Sequence, residues 1–163
     1  MRGFTLIELL VVLVVVGLFA SMVMLTVTPN SSRNLEREAK RLMHTIQLAQ
    51  DEAVMQGVEL GFTLQADRYF FSRLQENQWL PLSTDRQFSE YVFDSSLMLE
   101  LEVEDEHVVK QVDEELILPA IMILSSGELT AFKLSLFNVD ERETLFQIVG
   151  QESGQLSLHK PDE

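Results

Sequence analysis

Few residues of this chain are spaced as chemistry would require. Carboxylates crowd into two runs, Glu100, Glu102, Glu104, Asp105 and Glu106, then Asp113, Glu114 and Glu115. Oxygen donors at that density suit a hard divalent cation, but neither run has the spacing or the turn glycine of a calcium loop. They read as a solvated or partner-facing surface. His44, His107 and His159 are scattered, and the chain has no cysteine to complete a zinc set with them. No serine sits in a nucleophile elbow, and no glycine-rich loop cradles phosphate. The ionisable residue in an unusual setting is Glu8, a carboxylate inside an otherwise uncharged apolar stretch. A charge in such a stretch costs free energy and marks a function or a partner. The chemistry it offers is charge pairing rather than catalysis.

The element that must position Glu8 is the apolar run itself. From Leu9 to Leu25 only Gly17 and Ser21 interrupt Leu, Val, Phe, Ala and Met, and no charge follows Glu8 before Arg33. With residues 4–6 added, the run has about the 20 residues that cross a bilayer as a helix, the only single segment that satisfies its own backbone in lipid. A secretory signal would have a shorter apolar core and small residues at a cleavage site. Here the run is too long, Ala20-Ser21-Met22 is a poor match and Glu8 interrupts the core. Residues 4–28 therefore read as a transmembrane helix. Only Arg2 precedes it, while Arg33, Arg37, Lys40 and Arg41 follow, so the positive-inside rule alone would put the large domain in the cytoplasm.

Beyond the run, Leu35, Ala39, Leu42, Ile46, Ala49 and Ala53 recur at gaps of 4, 3, 4, 3 and 4, one face of an amphipathic helix. That spacing predicts a helix over 29–57, with Pro29 and the polar residues after it as a break and Gly57 as its C-cap. The basic residues at its start alternate with Glu36 and Glu38 and read as a solvated face. After Gly57 the period becomes strand-like. Phe62, Leu64, Tyr69, Phe71, Trp79, Tyr91 and Phe93 lie in short segments separated by turns at 65–67 and 76–78. Leu99, Leu101 and Val103 alternate with Glu100, Glu102 and Glu104, one face buried and the other acidic. Further strands are expected at 116–124, 129–137, 144–149 and 155–158, with Ser125-Ser126-Gly127-Glu128 as a hairpin turn between the first two. Pro119 suggests that its strand lies at an edge or bulges. The fold class is α+β: a long N-terminal helix, transmembrane half plus amphipathic half, packed on a C-terminal antiparallel β domain at 58–163.

The formal charge is -14. Arg2 and Glu8 cancel, so the acidity belongs to the chain from Arg33 onward and excludes nucleic acid as a partner, since phosphates demand Lys and Arg. No cofactor is implied. The missing cysteines fit a reducing cytosol or a periplasmic domain stable without cross-links.

The residues Arg2-Gly3-Phe4-Thr5-Leu6-Ile7-Glu8-Leu9, followed by a long apolar helix with Gly17 within it, resemble the type IV prepilin family. The resemblance implies a pilin-like fold and a leader, 1–3, removed after Gly3 by a dedicated prepilin peptidase. It also implies N-methylation of Phe4 and a subunit-assembly role for Glu8, paired with the charged amine of Phe4 on an adjacent subunit of a helical filament. In that family the leader stays in the cytoplasm, which would place the C-terminal domain in the periplasm of a single-pass inner-membrane protein, against the charge count.

Later residues narrow the likeness. Glu38-Ala39 with Leu42, Ala49-Gln50-Asp51-Glu52-Ala53 with Gly57, Gly61-Phe62, Tyr69-Phe70-Phe71, Gln78-Trp79 and Ser126-Gly127-Glu128 resemble the H-type minor pseudopilins of type II secretion systems. Missing cysteines lean the same way, since many major pilins close a C-terminal loop with a disulfide. That resemblance implies a non-enzymatic subunit near the pseudopilus tip, joining tip complex to shaft and supporting export of folded exoproteins. Its partners would be the major and tip pseudopilins, the peptidase, inner-membrane lipid and exoprotein substrates. A minor pilin of a type IV pilus shares every N-terminal motif, and a membrane-anchored enzyme using the acidic residues is a third class.

Overall fold

The computed structural model describes residues 6–24, 29–83, 86–103, 118–139 and 144–160. The chain divides into two compact units, Met1–Asn34 and Leu35–Glu163.

In the first unit, α1 spans Leu6–Met24. Its residues are apolar on every side, so nothing in its pattern selects one buried face. Its side chains are described as far as Val16, and all of them are exposed. Among the described residues no helix is long and apolar enough to cross a membrane; the span expected at 4–28 extends past both ends of α1 into residues outside those described.

The second helix, α2, spans Pro29–Gln56. Pro29 is its first residue, where a missing N–H costs nothing and the fixed φ already suits a helix. Leu35, Ala39, Leu42, Ile46, Ala49 and Ala53 are the buried residues of α2, the same six that the spacing selects. Three of them are alanines, which let the helix axis approach the sheets closely. The helix ends at Gly57, in the left-handed region at φ 64°, while Val58 N–H donates to the Ala53 carbonyl at 3.1 Å. That six-to-one bond with a left-handed glycine is a Schellman stop.

Nine strands follow among the described residues: β1 Leu60–Leu64, β2 Arg68–Gln75, β3 Gln78–Pro81, β4 Tyr91–Val92, β5 Leu97–Val103, β6 Ile121–Ile123, β7 Phe132–Asn138, β8 Thr144–Gly150 and β9 Leu156–His159. One antiparallel sheet runs β3-β2-β1-β6, with β4 also on β2; the other runs β5-β7-β8-β9. The β2–β3 turn carries Glu76 and Asn77, both at positive φ, the geometry of a type I′ hairpin. Leu60, Phe62, Tyr69, Phe71, Ile121 and Ile123 of the first sheet join Phe132, Leu134, Leu136, Phe146 and Ile148 of the second and the apolar face of α2 in one core. Burying each large aliphatic or aromatic side chain contributes roughly 1.5–3 kcal/mol.

Two strand expectations are corrected. The hairpin at 125–128 forms, with Leu124 N–H donating to the Glu128 carbonyl at 2.8 Å and Thr130 N–H to the Met122 carbonyl at 2.9 Å around the Ile123–Leu129 bridge, but it is short, and its arms then part, β6 joining the first sheet and β7 the second. A turn dictates local reversal; which sheet each arm joins depends on the distant strands it meets. The face of β5 expected to be buried is only half-buried at Leu97, Leu99, Leu101 and Val103, because β5 is an edge strand covered on one side by β7. Pro119 precedes a strand that is indeed an edge, and it packs on Gly61, where an added Cβ would come within 2.5 Å of its ring.

Candidate assembly site

Glu8 stands in the first turn of α1, where the positive end of the helix dipole favours a carboxylate. Its neighbours are exposed apolar residues, Leu6 at 89% and Ile7 at 72% among them. An exposed surface that is apolar from Leu6 to Val16 except at Glu8 is unfavourable in water and marks a segment that lipid or other helices cover. Gly3 and Phe4 lie outside the described residues.

The acidic runs are divided. Glu100 and Glu102 project from the outer face of β5, and Lys133 of β7 pairs with Glu102 at 2.7 Å. Residues 104–106 and 113–115 lie outside the described ones, as does His107. Among the described residues no group of His, Asp and Glu is gathered as a metal would need. His44 and His159 are exposed, and His159 Nε2 shares a hydrogen bond of 2.9 Å with Ser157 Oγ.

Three polar anchors were not legible beforehand. Gln50 of α2 donates through Nε2 to the carbonyls of Gly127 and Gly154, tying the helix to two turns. Glu59 accepts from Ser125 N–H at 3.1 Å and Ser125 Oγ at 2.9 Å. Arg41 lies with Cζ 3.2 Å from the centre of the Tyr91 ring while its Nε meets Glu38 at 3.3 Å, and the Tyr91 hydroxyl donates to Glu38 at 3.2 Å. Burial pushes the hydroxyls of Tyr69 and Tyr91 above the ordinary tyrosine range, against the opposing charge of Arg41. On the exposed edge, the hydrogen bond from Arg68 holds Asp67 below the ordinary carboxylate range, and Arg68 also pairs with Glu90 at 2.8 Å. These contacts stabilise the domain and present no reacting pair. Gln50 could have been noticed as a polar residue beside the buried stripe, but partners 77 and 104 residues away leave no local pattern.

An apolar N-terminal helix with a carboxylate in its first turn, followed by an amphipathic helix on antiparallel sheets, defines the pilin-like class of filament subunits. Residues 1–24 match the prokaryotic N-terminal methylation motif, and residues 38–154 match the family described as type II transport protein GspH. The chain belongs to that family, the H-type minor pseudopilins. It is 37% identical over 145 residues to type II secretion system protein H of Pseudomonas aeruginosa, covering 83% of this chain and 82% of that protein. Against type II secretion system protein H of Aeromonas hydrophila it is 30% identical over 173 residues, covering 99% and 94%. Among solved structures, the minor pseudopilin EpsH of the Vibrio cholerae type 2 secretion system superposes with a TM-score of 0.65 at 26% identity, over 79% of this chain and 97% of that one. The solution structure of Escherichia coli GspH shares the fold with a TM-score of 0.64, over 83% and 94%, at 22% identity.

Proposed function

We propose that this chain is a minor pseudopilin of a type II secretion system, located near the pseudopilus tip, where it joins the tip subunits to the shaft and supports export of folded exoproteins across the outer membrane. Prepilin peptidase removes residues 1–3 by cutting after Gly3, and Phe4 becomes the N-methylated terminus. Residues 4–28 anchor the protein in the inner membrane, 29–57 form the amphipathic helix, and 58–163 lie in the periplasm. The observation that carries the reading is the presence in one chain of the methylation motif over 1–24 and the GspH match over 38–154.

The physical chemistry supports assembly as the task. The apolar surface of α1 is buried once lipid or neighbouring helices surround it, and Glu8 then needs a cation inside an apolar bundle. The Phe4 amine of an adjacent subunit supplies it, neutralising both charges and setting the axial stagger between subunits. Breaking such a pair leaves an uncompensated buried charge, which costs more than the pair contributes.

The deciding experiment deletes the gene and measures exoprotein in the medium, scoring surface pili in the same cells. Exoproteins retained in the periplasm with pili intact is the expected result. Normal secretion with loss of pili would make the chain a minor pilin of a type IV pilus, the reading that the GspH match over 38–154 disfavours. A reporter active only in the periplasm, fused after Glu163, tests orientation; silence would favour the charge count over the family.

A further inference from the structure

Among the described residues, the second sheet ends on an edge that no strand covers. β5 pairs with β7 on one side, in unbroken register from Leu97↔Asn138 to Val103↔Phe132, and among the described residues no strand pairs with its other side. Other edges are short: β6 has three residues, β3 four, ending in Pro81, and β9 four. β5 runs for seven residues, Leu-Met-Leu-Glu-Leu-Glu-Val, with no Pro, Lys or bulge to blunt the edge; of the blunting devices it has only the charges of Glu100 and Glu102. Its inward-facing Leu97, Leu99, Leu101 and Val103 stay half-buried, while Leu136, Leu134 and Phe132 opposite them are buried. On the outer face Met98 is 53% exposed, beside a recess of about 290 Å³ that Glu100, Phe137 and Val139 also line. Lys133 neutralises Glu102; among the described residues Glu100 has no ion-pair partner.

We propose that β5 is a docking edge to which an extended segment of another subunit of the same pseudopilus adds as a further strand. The inference rests on the pseudopilin reading above. Main-chain hydrogen bonds along the free edge give such an interaction its affinity, and alternate side chains give it specificity. The chemistry of the occupant follows from the strand. Toward the core it presents aliphatic residues that complete the cover of Leu99 and Leu101. On the outer face it sets a Lys or Arg against Glu100 and an apolar side chain into the recess beside Met98. A second copy of this chain is the poorer occupant. The register pairing all seven residues of β5 with their counterparts opposes Glu100 to Glu100, and the register centred on Leu101 opposes Glu100 to Glu102; like charges directly opposite are destabilising. The register centred on Leu99 sets Glu100 against Met98, but it pairs only residues 97–101 of β5 with one another and leaves Glu100 without a cation.

The test titrates the full-length chain in detergent micelles with each of the other purified pseudopilins of its system, following amide hydrogen exchange. The expected result is that one subunit slows exchange at alternate amides of 97–103 about tenfold or more. Glu100→Lys then weakens its binding by at least about tenfold, Glu100→Gln less, and added salt weakens the parent more than the Gln variant. Both variants should match the free parent in exchange elsewhere. A subunit that binds with protection elsewhere and tolerates Glu100→Lys overturns the docking edge and leaves the pseudopilin reading standing. Protection of β5 that rises with the chain's own concentration overturns it in favour of self-association. Absence of binding to any pseudopilin overturns both.

Discussion

Two glycines with the same backbone handicap separate strain from contact. Gly57 has φ 64° and Gly154 has φ 86°, so alanine at either costs about 1–2 kcal/mol in the left-handed region. Around Gly57 an added Cβ meets nothing within 4 Å, and Gly57→Ala should cost that strain alone. At Gly154 the new Cβ would collide with Gln50 Nε2 and the Gly127 carbonyl. The Gln50 amide must then leave the two carbonyls it serves, each hydrogen bond contributing about 0.5–1.5 kcal/mol net. Gly154→Ala should therefore cost about 2–5 kcal/mol, exceeding Gly57→Ala by about 2 kcal/mol. Urea unfolding followed through Trp79, the single tryptophan, reads the difference. With a slope of about 2 kcal/mol per molar, the two midpoints should separate by roughly 1 M. Gln50→Ala alone should cost about 1–3 kcal/mol, and the double variant less than the sum, because one collision vanishes with the amide. Equal losses at the two glycines, or strict additivity, would refute the clamp.

Four further outcomes are expected. Gly3→Phe should leave a precursor carrying its leader, seen as the unshortened intact mass; normal processing would remove the peptidase assignment. Glu8→Leu should abolish incorporation into the pseudopilus in a co-assembly assay while leaving the urea midpoint of the domain unchanged, and a shifted midpoint would mean that Glu8 serves the fold. A chain beginning at Asn30 should be a soluble, folded monomer by sedimentation and circular dichroism, since among the described residues every core residue lies at Leu35 or beyond. Asp94 accepts hydrogen bonds from Ser96 Oγ and Ser96 N–H, which hold its carboxyl below the ordinary 3.8; its contribution to stability is thus full above that value and lost as pH falls through the lowered folded value. A side-chain carboxyl titration by NMR that placed Asp94 at or above 3.8 would contradict this.

What was legible in the sequence was local and periodic. The 4, 3, 4, 3, 4 spacing selects the buried face of α2 residue by residue, because a helix fixes which side chains share a face whatever it packs against. The Glu76-Asn77 turn and the Gly57 stop were readable for the same reason: each is a condition on a few consecutive dihedrals. The N-terminal motif is equally local, being read by a peptidase along a short segment. Partnership at long range was not legible. Nothing near Ser125 says that β6 and β7 separate into different sheets, and alternation in β5 announces two faces without saying that an edge strand leaves its inner face half-covered. Gln50 sits between buried Ile46 and Ala49 on one side and Ala53 on the other, yet its amide is satisfied only because two turns from later in the chain arrive beside it.

The two helices stand almost next to each other in sequence and obey opposite rules. α2 has one apolar face, so the domain alone fixes its rotation, and its alanines fix how close it comes. α1 is apolar all round, and sliding it by a turn against similar helices, or rotating it, changes the apolar area buried very little. Burial can therefore hold such helices together without telling one register from another. A single carboxylate removes that degeneracy: displaced by one residue along the axis, about 1.5 Å and 100°, it no longer meets its cation and is left unpaired in an apolar bundle. A lone polar residue at a buried helix position specifies register in coiled coils on the same grounds, at a cost in stability. The proposed pairing of Glu8 with Phe4 thus assigns to one side chain what the rest of α1 cannot supply, and it explains why a charge should stand in so apolar a segment.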